Sequence, residues 1–474
     1  MKKLTIVILI LAVLCAGWAG ATYYIGGQAQ ERYENLLQQY AQLGPVTLSG
    51  KDYQRGLLSS EAETLVEFTL PSVEDQQEPT EPVTLVFRHT LRHGPLTLSP
   101  ALAQVETRLV SVVPDSGEFA RVLAKVPELA EPFAFVRVNL DGSMNSRIEL
   151  PAFQEMTEEG HFTWGGFRFE MDSAPGMKTL VGSFDLPKVE LQEADVDFTW
   201  DGFRGQFDLT ETRPLLYVGT NKATFGSMEM SLPEHEGGPR KTVRMEGFEV
   251  VTESSSDGKL IRYVQSMQFA GLTVEGKTYG PGVCEVEVSN LDCDALAGFQ
   301  GDAREVYRNA DNFNPDELAA QVIPLYGRLV EKLVTGNPEL NIRKLHFSTP
   351  MGDFDGNVQV KLAGGQGLTL DNPAALLEHL EAAARVSVAE GLIGAVMAAA
   401  VKDNLRAAIE QGQVPPYSDE EIAALAEQQL NGQLEALVAQ NFILREGGQI
   451  KTSATFNRGE LAVNGQPLPL FGGQ

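Results

Sequence analysis

One segment of the chain has the residue types and spacing of a nucleotide-binding phosphate loop. Residues 271–278 read Gly-Leu-Thr-Val-Glu-Gly-Lys-Thr and match that pattern at every required position. A phosphate cradle needs a flexible loop followed by a helix whose backbone N–H groups face the anion. Here Leu272, Thr273 and Val274 favour a strand, and the Tyr-Gly-Pro-Gly sequence at 279–282 opposes a helix. We interpret the segment as a strand and turn.

Two histidines offer a second possibility for chemistry. His89 and His93 lie four residues apart, so in a strand they share one face. The alternatives are a metal site and a pair of surface histidines, and the sequence favours the surface pair because Arg88 and Arg92 would repel a cation. Acidic pairs occur throughout a chain with 64 Asp and Glu residues and are explained by solvated faces. The sequence therefore predicts no catalytic, cofactor-binding or metal-binding residues.

The cysteines could form a cross-link. Cys15 lies in an apolar segment, which leaves Cys284 and Cys293, separated by nine residues, with Asn290 between them as a residue that tolerates a turn. A disulfide closing a small loop and two free buried thiols are the two alternatives. Two cysteines alone do not complete a zinc site.

Charge excludes one class of partner. The 474 residues include 37 Lys and Arg against 64 Asp and Glu, for a net charge of −27. Binding to a nucleic-acid backbone needs a basic face, so we predict no nucleic-acid partner. The 43% hydrophobic residues are ample for a large folded core.

The N-terminus has the pattern of a membrane segment. Lys2 and Lys3 precede the apolar stretch Leu4–Ile25, whose 22 residues are long enough to cross a bilayer as a helix. The basic residues on the short leading side predict a cytoplasmic N-terminus and an exported body. A cleaved signal peptide is the alternative, because Ala19-Gly20-Ala21 fits a cleavage pattern. We favour the anchor.

The rest of the chain predicts an α+β fold in which an extended, twisted antiparallel β-meander precedes segregated C-terminal helices. The segment Phe162–Arg168 recurs at Phe198–Arg204, offset by 36 residues, and its glycines suggest the tight turns of repeated hairpins. Alternating apolar and polar residues, as in Val358, Val360 and Leu362, predict strands with one solvated face. Four segments are predicted: a membrane anchor or signal segment at 1–30, a short amphipathic helix at 31–45, the meander at 46–300, and a helix-rich α+β region with closing strands at 301–474.

Four late helices are predicted, three of them from capping signals. Asn314-Pro315 and Asn372-Pro373 each suit a helix start, and Ser418 with Glu421 forms a capping box. Glu390 to Glu410 reads as a further helix, with an apolar run from 391 to 401 that we assign to the core in preference to a ligand or subunit surface.

One motif carries a family resemblance. The Tyr-x-Arg-Gly segment at 53–56, followed after a strand by His-Gly-Pro at 93–95, resembles the opening of the YdgA-like family of bacterial envelope proteins. The resemblance implies a periplasmic location with an inner-membrane anchor and carries over no catalytic residues. From the residues themselves, Arg55 either holds a carboxylate such as Glu61 or organises the join between the N-terminal helix and the sheet, and we favour the join. The motif residues are Tyr53, Arg55, Gly56, Ser59, His93, Gly94 and Pro95.

Together these features predict a non-enzymatic binding or scaffolding protein of the bacterial cell envelope. It would be a single-pass protein of the inner membrane, with its N-terminus in the cytoplasm and its body in the periplasm. Another envelope protein, a lipid and a second copy of the chain are the partners left open, and no cofactor is predicted. The alternatives are a periplasmic hydrolase that uses carboxylates and a carrier of hydrophobic ligands such as lipid.

Overall fold

The structure is a computed structural model. It describes residues 2–39, 41–43, 46–68, 82–94, 101–115, 120–121, 124, 126–156, 160–193, 196–233, 238–309, 315–363, 373–410 and 417–468. These residues fold into two compact units. Unit 1 comprises residues 1–192, 201–221 and 297–327, and unit 2 comprises 193–200, 222–296 and 328–474. Each unit therefore combines segments that are distant in the chain.

Strands dominate the described residues, and every pairing given for them is antiparallel, so the mostly β α+β class is confirmed. The strands before residue 214 are β1 Gln42–Leu43, β2 Val46–Arg55, β3 Ser59–Phe68, β4 Val83–His93, β5 Ala103–Val113, β6 Ala134–Val138, β7 Met144–Leu150, β8 Phe153–Met156, β9 Gly160–Trp164, β10 Phe167–Ser173, β11 Thr179–Glu193 and β12 Asp197–Arg213. Short 3-10 helices lie at Pro127–Ala130 and Pro175–Met177.

The later strands continue the same antiparallel pattern. They are β13 Leu216–Pro233, β14 Arg240–Ser256, β15 Leu260–Phe269, β16 Gly271–Val274, β17 Lys277–Tyr279, β18 Gly282–Asp292, β19 Glu339–Thr349, β20 Gly352–Leu362, β21 Leu380–Ala389, β22 Leu444–Glu446, β23 Gln449–Asn457, β24 Glu460–Val463 and β25 Gln466–Leu468.

One helix lies before β1, and further helices lie after β18 in the chain. They are α1 Lys2–Gln39, α2 Cys293–Asn309, α3 Pro315–Val334, α4 Pro373–His379, α5 Glu390–Glu410 and α6 Asp419–Ala439. The capping box of Ser418 and Glu421 is present at the start of α6. Helix α2 was not predicted, because its first turn follows directly from the alternating pattern of β18.

The N-terminal segment forms one continuous helix, Lys2–Gln39. Among the described residues, no helix combines the length and the hydropathy that a membrane crossing requires. The side chains of residues 1–18 lie outside those described. The membrane span at Leu4–Ile25 stays a prediction.

In unit 1, strands β2 to β7 pair in chain order, and β7 pairs with β10 and β10 with β11. Strands β9 and β10 both lie along β11, and the Gly165 N–H donates to the Lys188 carbonyl at 2.8 Å. Gly165 and Gly166 therefore interrupt a strand that continues in the same direction, as a β-bulge does. The predicted hairpin turn at this position is wrong. The second copy of the repeated segment contains no turn either. Gly202 has a positive φ of 70°, but it lies within the unbroken strand β12.

In unit 2, β14, β15, β18, β19, β20, β21, β23, β24 and β25 form one antiparallel series. The segment at 271–278 is the short hairpin of β16 and β17, as the sequence predicted in place of a phosphate loop. Side chains alternate along β20 between half-buried and exposed, which confirms the period-two pattern. A small core joins Val334 and Leu362 to Ala375, Leu376 and Leu380.

Of the two alternatives for the cysteines, a disulfide and free thiols, the structure shows free thiols. Cys284 and Cys293 are free thiols, with Cys293 buried and Cys284 half-buried. Cys284 lies near the start of β18 and Cys293 directly after its end. Asn290 has a positive φ of 61°, but the strand runs on through it. At about 3.3 Å per residue the two cysteines are roughly 30 Å apart, far beyond the reach of a disulfide.

Candidate functional site

The motif residues meet where α1 packs against the edge of the sheet in unit 1. We call this place the helix–sheet joint and define it by Gly26 and Gly27 of α1 with Arg55, Ser60 and His93 of β2, β3 and β4. Strands β2, β3 and β4 are adjacent, with Arg55 opposite Ser60 and Ser60 opposite Leu91. This pairing brings positions 55, 60 and 93 to the same end of the sheet, although 38 residues separate the first from the last.

The contact between α1 and His93 depends on a glycine. A Cβ atom on Gly26 would lie 2.6 Å from Cε1 and 2.7 Å from Nδ1 of the His93 ring. Carbon atoms in van der Waals contact are about 3.5–4.0 Å apart, so no other residue fits here without displacement. The absence of a side chain at Gly26 therefore lets the helix backbone approach the imidazole directly.

Gly27 likewise lets the helix backbone approach the side chain of Arg55. A Cβ there would be 3.1 Å from Nη2 of Arg55. The guanidinium lies over the ring of Tyr23, 4.0 Å from its centroid, and donates from Nη2 to the Tyr23 carbonyl oxygen. Arg55 thus grips the helix by a cation–π contact and a hydrogen bond. In the structure it organises the join, which agrees with the interpretation that the sequence favoured.

His93 and Ser60 form a buried polar pair. Ser60 Oγ lies 3.0 Å from His93 Nε2, and the two residues are 1% and 3% exposed. Burial lowers the pKa of His93, and the charge of Arg55 adds to this lowering. The imidazole is therefore neutral at pH 7. The prediction of a surface histidine pair is wrong, because the ring lies beneath α1.

A second hydrogen-bond network continues toward the middle of the same strands. His89 Nδ1 and Nε2 lie 2.8 Å from the hydroxyls of Thr107 and Thr64, and Thr64 Oγ1 lies 3.0 Å from Tyr33 Oη of α1. Tyr33 also donates to the Glu63 carbonyl at 2.8 Å. Burial lowers the pKa of His89 to about 4. Helix α1 is thus bonded to the sheet at two levels.

The other motif residues support this arrangement. The ring of Tyr53 packs 5.5 Å from that of Tyr33. The Gly56 N–H donates to the Ser59 carbonyl at 2.9 Å, closing the turn between β2 and β3. The Gly94 N–H donates to Leu102 at 2.6 Å, and a Cβ on Gly94 would overlap the Ala101 carbonyl. Pro95 lies outside the described residues.

A hydroxyl beside a neutral imidazole is the pairing used in nucleophilic catalysis. Here the Ser60 hydroxyl faces the protein interior, and Gly26 covers the ring that would act as the base. The arrangement suits a structural contact that fixes the helix, since Ser60 is only 1% exposed. Ser60 itself was not among the predicted motif residues; its pairing with a histidine on the neighbouring strand is visible only in the fold. Within the described ranges, no group of three or more His, Cys, Asp or Glu side chains is placed to hold a metal ion.

Comparison with known proteins places this motif in a family. The chain is 22% identical over 503 residues to Protein YdgA of Escherichia coli (strain K12), which covers 99% of this chain and 95% of that protein. No solved structure is significantly similar to this chain. Residues 1–471 match the family model described as a bacterial protein of unknown function, DUF945. The chain therefore belongs to the DUF945 family.

Proposed function

We propose that this protein is a non-enzymatic component of the bacterial cell envelope, anchored in the inner membrane by α1, with its β-rich body in the periplasm as a binding or scaffolding surface. The observation that carries the proposal is the helix–sheet joint. Arg55 and His93 of the motif contact the helix, and His93 forms a buried pair with Ser60.

The position of the joint along α1 supports an anchor. The apolar stretch Leu4–Ile25 would span about 33 Å as a helix, close to the thickness of the hydrocarbon core. The contacts with the sheet begin at Tyr23 and continue through Gly26 and Tyr33. The docked stretch thus begins within the last three residues of the apolar stretch, on one continuous helix.

The same contacts bear on cleavage. Thr22 is fully buried and Tyr23 is held by Arg55. Cleavage after Ala21, as in a signal peptide, would create a charged N-terminus at Thr22, inside the packed region, where an unpaired charge is costly. An intact α1 is therefore the form that the joint favours.

The test is the intact mass and the topology of the full chain. We expect the mass of the uncleaved polypeptide in the inner-membrane fraction, and digestion of residues beyond 46 by protease added to spheroplasts. In-cell crosslinking followed by purification should return a defined protein or lipid. A chain cleaved near residue 21, or a body that is protected in intact spheroplasts, would contradict the anchor; recovery of a lone monomer would contradict the scaffolding role.

A second candidate, carriage of a hydrophobic ligand, is favoured by one face of the sheet in unit 2. Directly opposed residues on β15, β18, β19, β20 and β21 share a face, and two such rows are mostly apolar. Leu340 and Leu345 on this face are 38% and 36% exposed. The rows contain Tyr263, Val288, Leu340, Val360 and Ala382, and Met267, Cys284, Leu345, Gly356 and Val386.

Mass spectrometry of organic extracts decides between the candidates. A carrier purified in a mild detergent should release a lipid in a fixed ratio to protein. Replacement of Leu345 by Asp should abolish that recovery, whereas replacement of exposed Lys259 by Asp should not. An extract with the same lipids in both variants would count against carriage.

A further inference from the structure

The polar face of the sheet in unit 2 contains a groove with an unusual charge. The groove has a volume of about 480 Å³ and lies over β19, β20, β21 and β23. Among the residues that the structure describes, four cationic side chains line the groove and only one carboxylate, that of Asp355, although the whole chain carries a net charge of −27. The cationic residues are Arg343, Lys344, Arg385 and Lys451.

A β-bulge concentrates two of these charges. The pairing of β19 with β20 shifts between Ile342 and Leu345, so Arg343 and Lys344 together face the part of β20 that contains Asn357. Consecutive residues of a regular strand point to opposite faces, whereas a bulge re-aims one of them. Both residues consequently line the same groove.

The register brings the third charge to the same place. Arg385 of β21 lies directly opposite Asn357 of β20. Directly opposed Cβ atoms are about 4.5–5.5 Å apart, so the guanidinium and the amide flank one spot on the surface. Lys344 and Arg385 approach this spot from the two neighbouring strands.

Ion pairs among the described residues engage Arg343 and Lys451 and leave Lys344 and Arg385 available to bind an anion. Arg343 bonds to Glu287, Lys451 lies 3.2 Å from Glu446, and the Asp355 carboxylate is 2.8 Å from His346. Within the part of the chain that the structure describes, Lys344 and Arg385 make no ion pair. Both are exposed, and Glu285, which lies directly opposite Lys344 on β18, forms no ion pair with it in the described part of the chain.

We propose that this groove binds a phosphate ester, through the guanidinium of Arg385, the ammonium of Lys344 and the amide of Asn357. A guanidinium presents two parallel N–H groups that match two phosphate oxygens, and an ammonium adds a point charge. The volume exceeds that of a bare phosphate ion and leaves room for the esterified group. The ester is either a phospholipid headgroup or a small soluble molecule. This inference goes beyond the anchoring role and does not depend on it.

The test uses the full-length chain in a neutral detergent. Calorimetry measures binding of glycerol phosphate as the soluble ester, and native mass spectrometry measures retention of phosphatidylglycerol against diacylglycerol, which has no phosphate. The variants are Arg385→Gln and Lys344→Gln. Lys259→Gln is the matched control, because it removes one exposed positive charge from the same unit at the turn before β15.

We expect binding by the wild-type chain, and a loss of affinity of about tenfold or more in R385Q and K344Q, since hydrogen bonds between charged groups are worth more than neutral ones. The control should bind as the wild type does. Preference for phosphatidylglycerol would identify a lipid headgroup, and preference for glycerol phosphate a soluble ester. Equal affinity in R385Q and K259Q, or no binding of either ester, would overturn the proposal. Because Arg385 is exposed, R385Q should unfold at the same temperature as the wild type, which separates lost binding from lost folding.

Discussion

The contact between Gly26 and His93 leads to a quantitative prediction for Gly26→Ala. The new methyl group would stand 2.6 Å from Cε1 of a ring that is 3% exposed and is hydrogen-bonded to Ser60. Relief of this overlap requires the helix to move away or the buried ring to shift and weaken its hydrogen bond with Ser60. Overpacking of this kind costs about 1–3 kcal/mol. Alanine is a better helix former than glycine by about 1 kcal/mol, which offsets part of that cost.

Gly20→Ala is the matched control. Gly20 lies on the same helix, and a Cβ there has nothing within 4 Å. Only the gain in helix propensity applies, so G20A should be neutral or slightly stabilising. The predicted difference in local stability between the two variants is therefore about 1–3 kcal/mol, with G26A the weaker.

Hydrogen exchange is the suitable measurement, since it reports the free energy of local opening without requiring the whole chain to unfold in one step. The amide of His93, which donates to the Leu58 carbonyl at 2.8 Å, is the probe. Exchange at this amide should be faster in G26A than in the wild type and unchanged in G20A. If G26A protects the amide as well as G20A does, then α1 does not pack on His93 in this way and the argument fails.

Three further predictions test other parts of the molecule. Burial holds the pKa of His89 at about 4 in the folded chain against 6.5 when exposed, so its contribution to stability is full above pH 6.5 and is lost as the pH falls toward 4. The loss is worth about 3 kcal/mol, and urea unfolding across this range should show a weaker pH dependence in His89→Gln than in the wild type. Arg55→Lys should weaken the grip on Tyr23 by about 1 kcal/mol, measured as faster exchange at the Gly26 and Gly27 amides, because lysine cannot keep both the ring contact and the carbonyl bond. Alkylation of the denatured, unreduced chain should modify both Cys284 and Cys293, and alkylation of the folded chain should modify Cys284 first; protection of both under denaturing conditions would instead reveal a disulfide.

The late helices show how much the sequence alone predicts. The capping box at Ser418 and the proline at position 315 each mark a helix start that the structure places at the same residues. The alternation along β20 predicted a strand with one exposed face, and the structure has it. Caps and alternation depend only on neighbouring residues, so their effect is legible without the fold.

The features that the sequence did not predict depend on contacts between distant segments of the chain. Glycine pairs suit a hairpin turn and a bulge equally well, and only the neighbouring strand β11 made Gly165–Gly166 a bulge. Cys284 and Cys293 are close in sequence, but the pairing of β18 with β15 and β19 keeps the chain extended between them. The cover over His93 comes from Gly26, 67 residues earlier.

The sequence by itself therefore determined the local elements, the strong negative charge and the family motif, because these depend on residue types and short spacings. Only the tertiary structure decided what the motif does. A glycine is silent in any pattern of charge or hydropathy, and its role at Gly26 and Gly27 comes from the histidine and arginine that approach it across the sheet. The groove around Arg385 has the same origin, since strand register and a bulge assemble cations that the linear chain keeps apart.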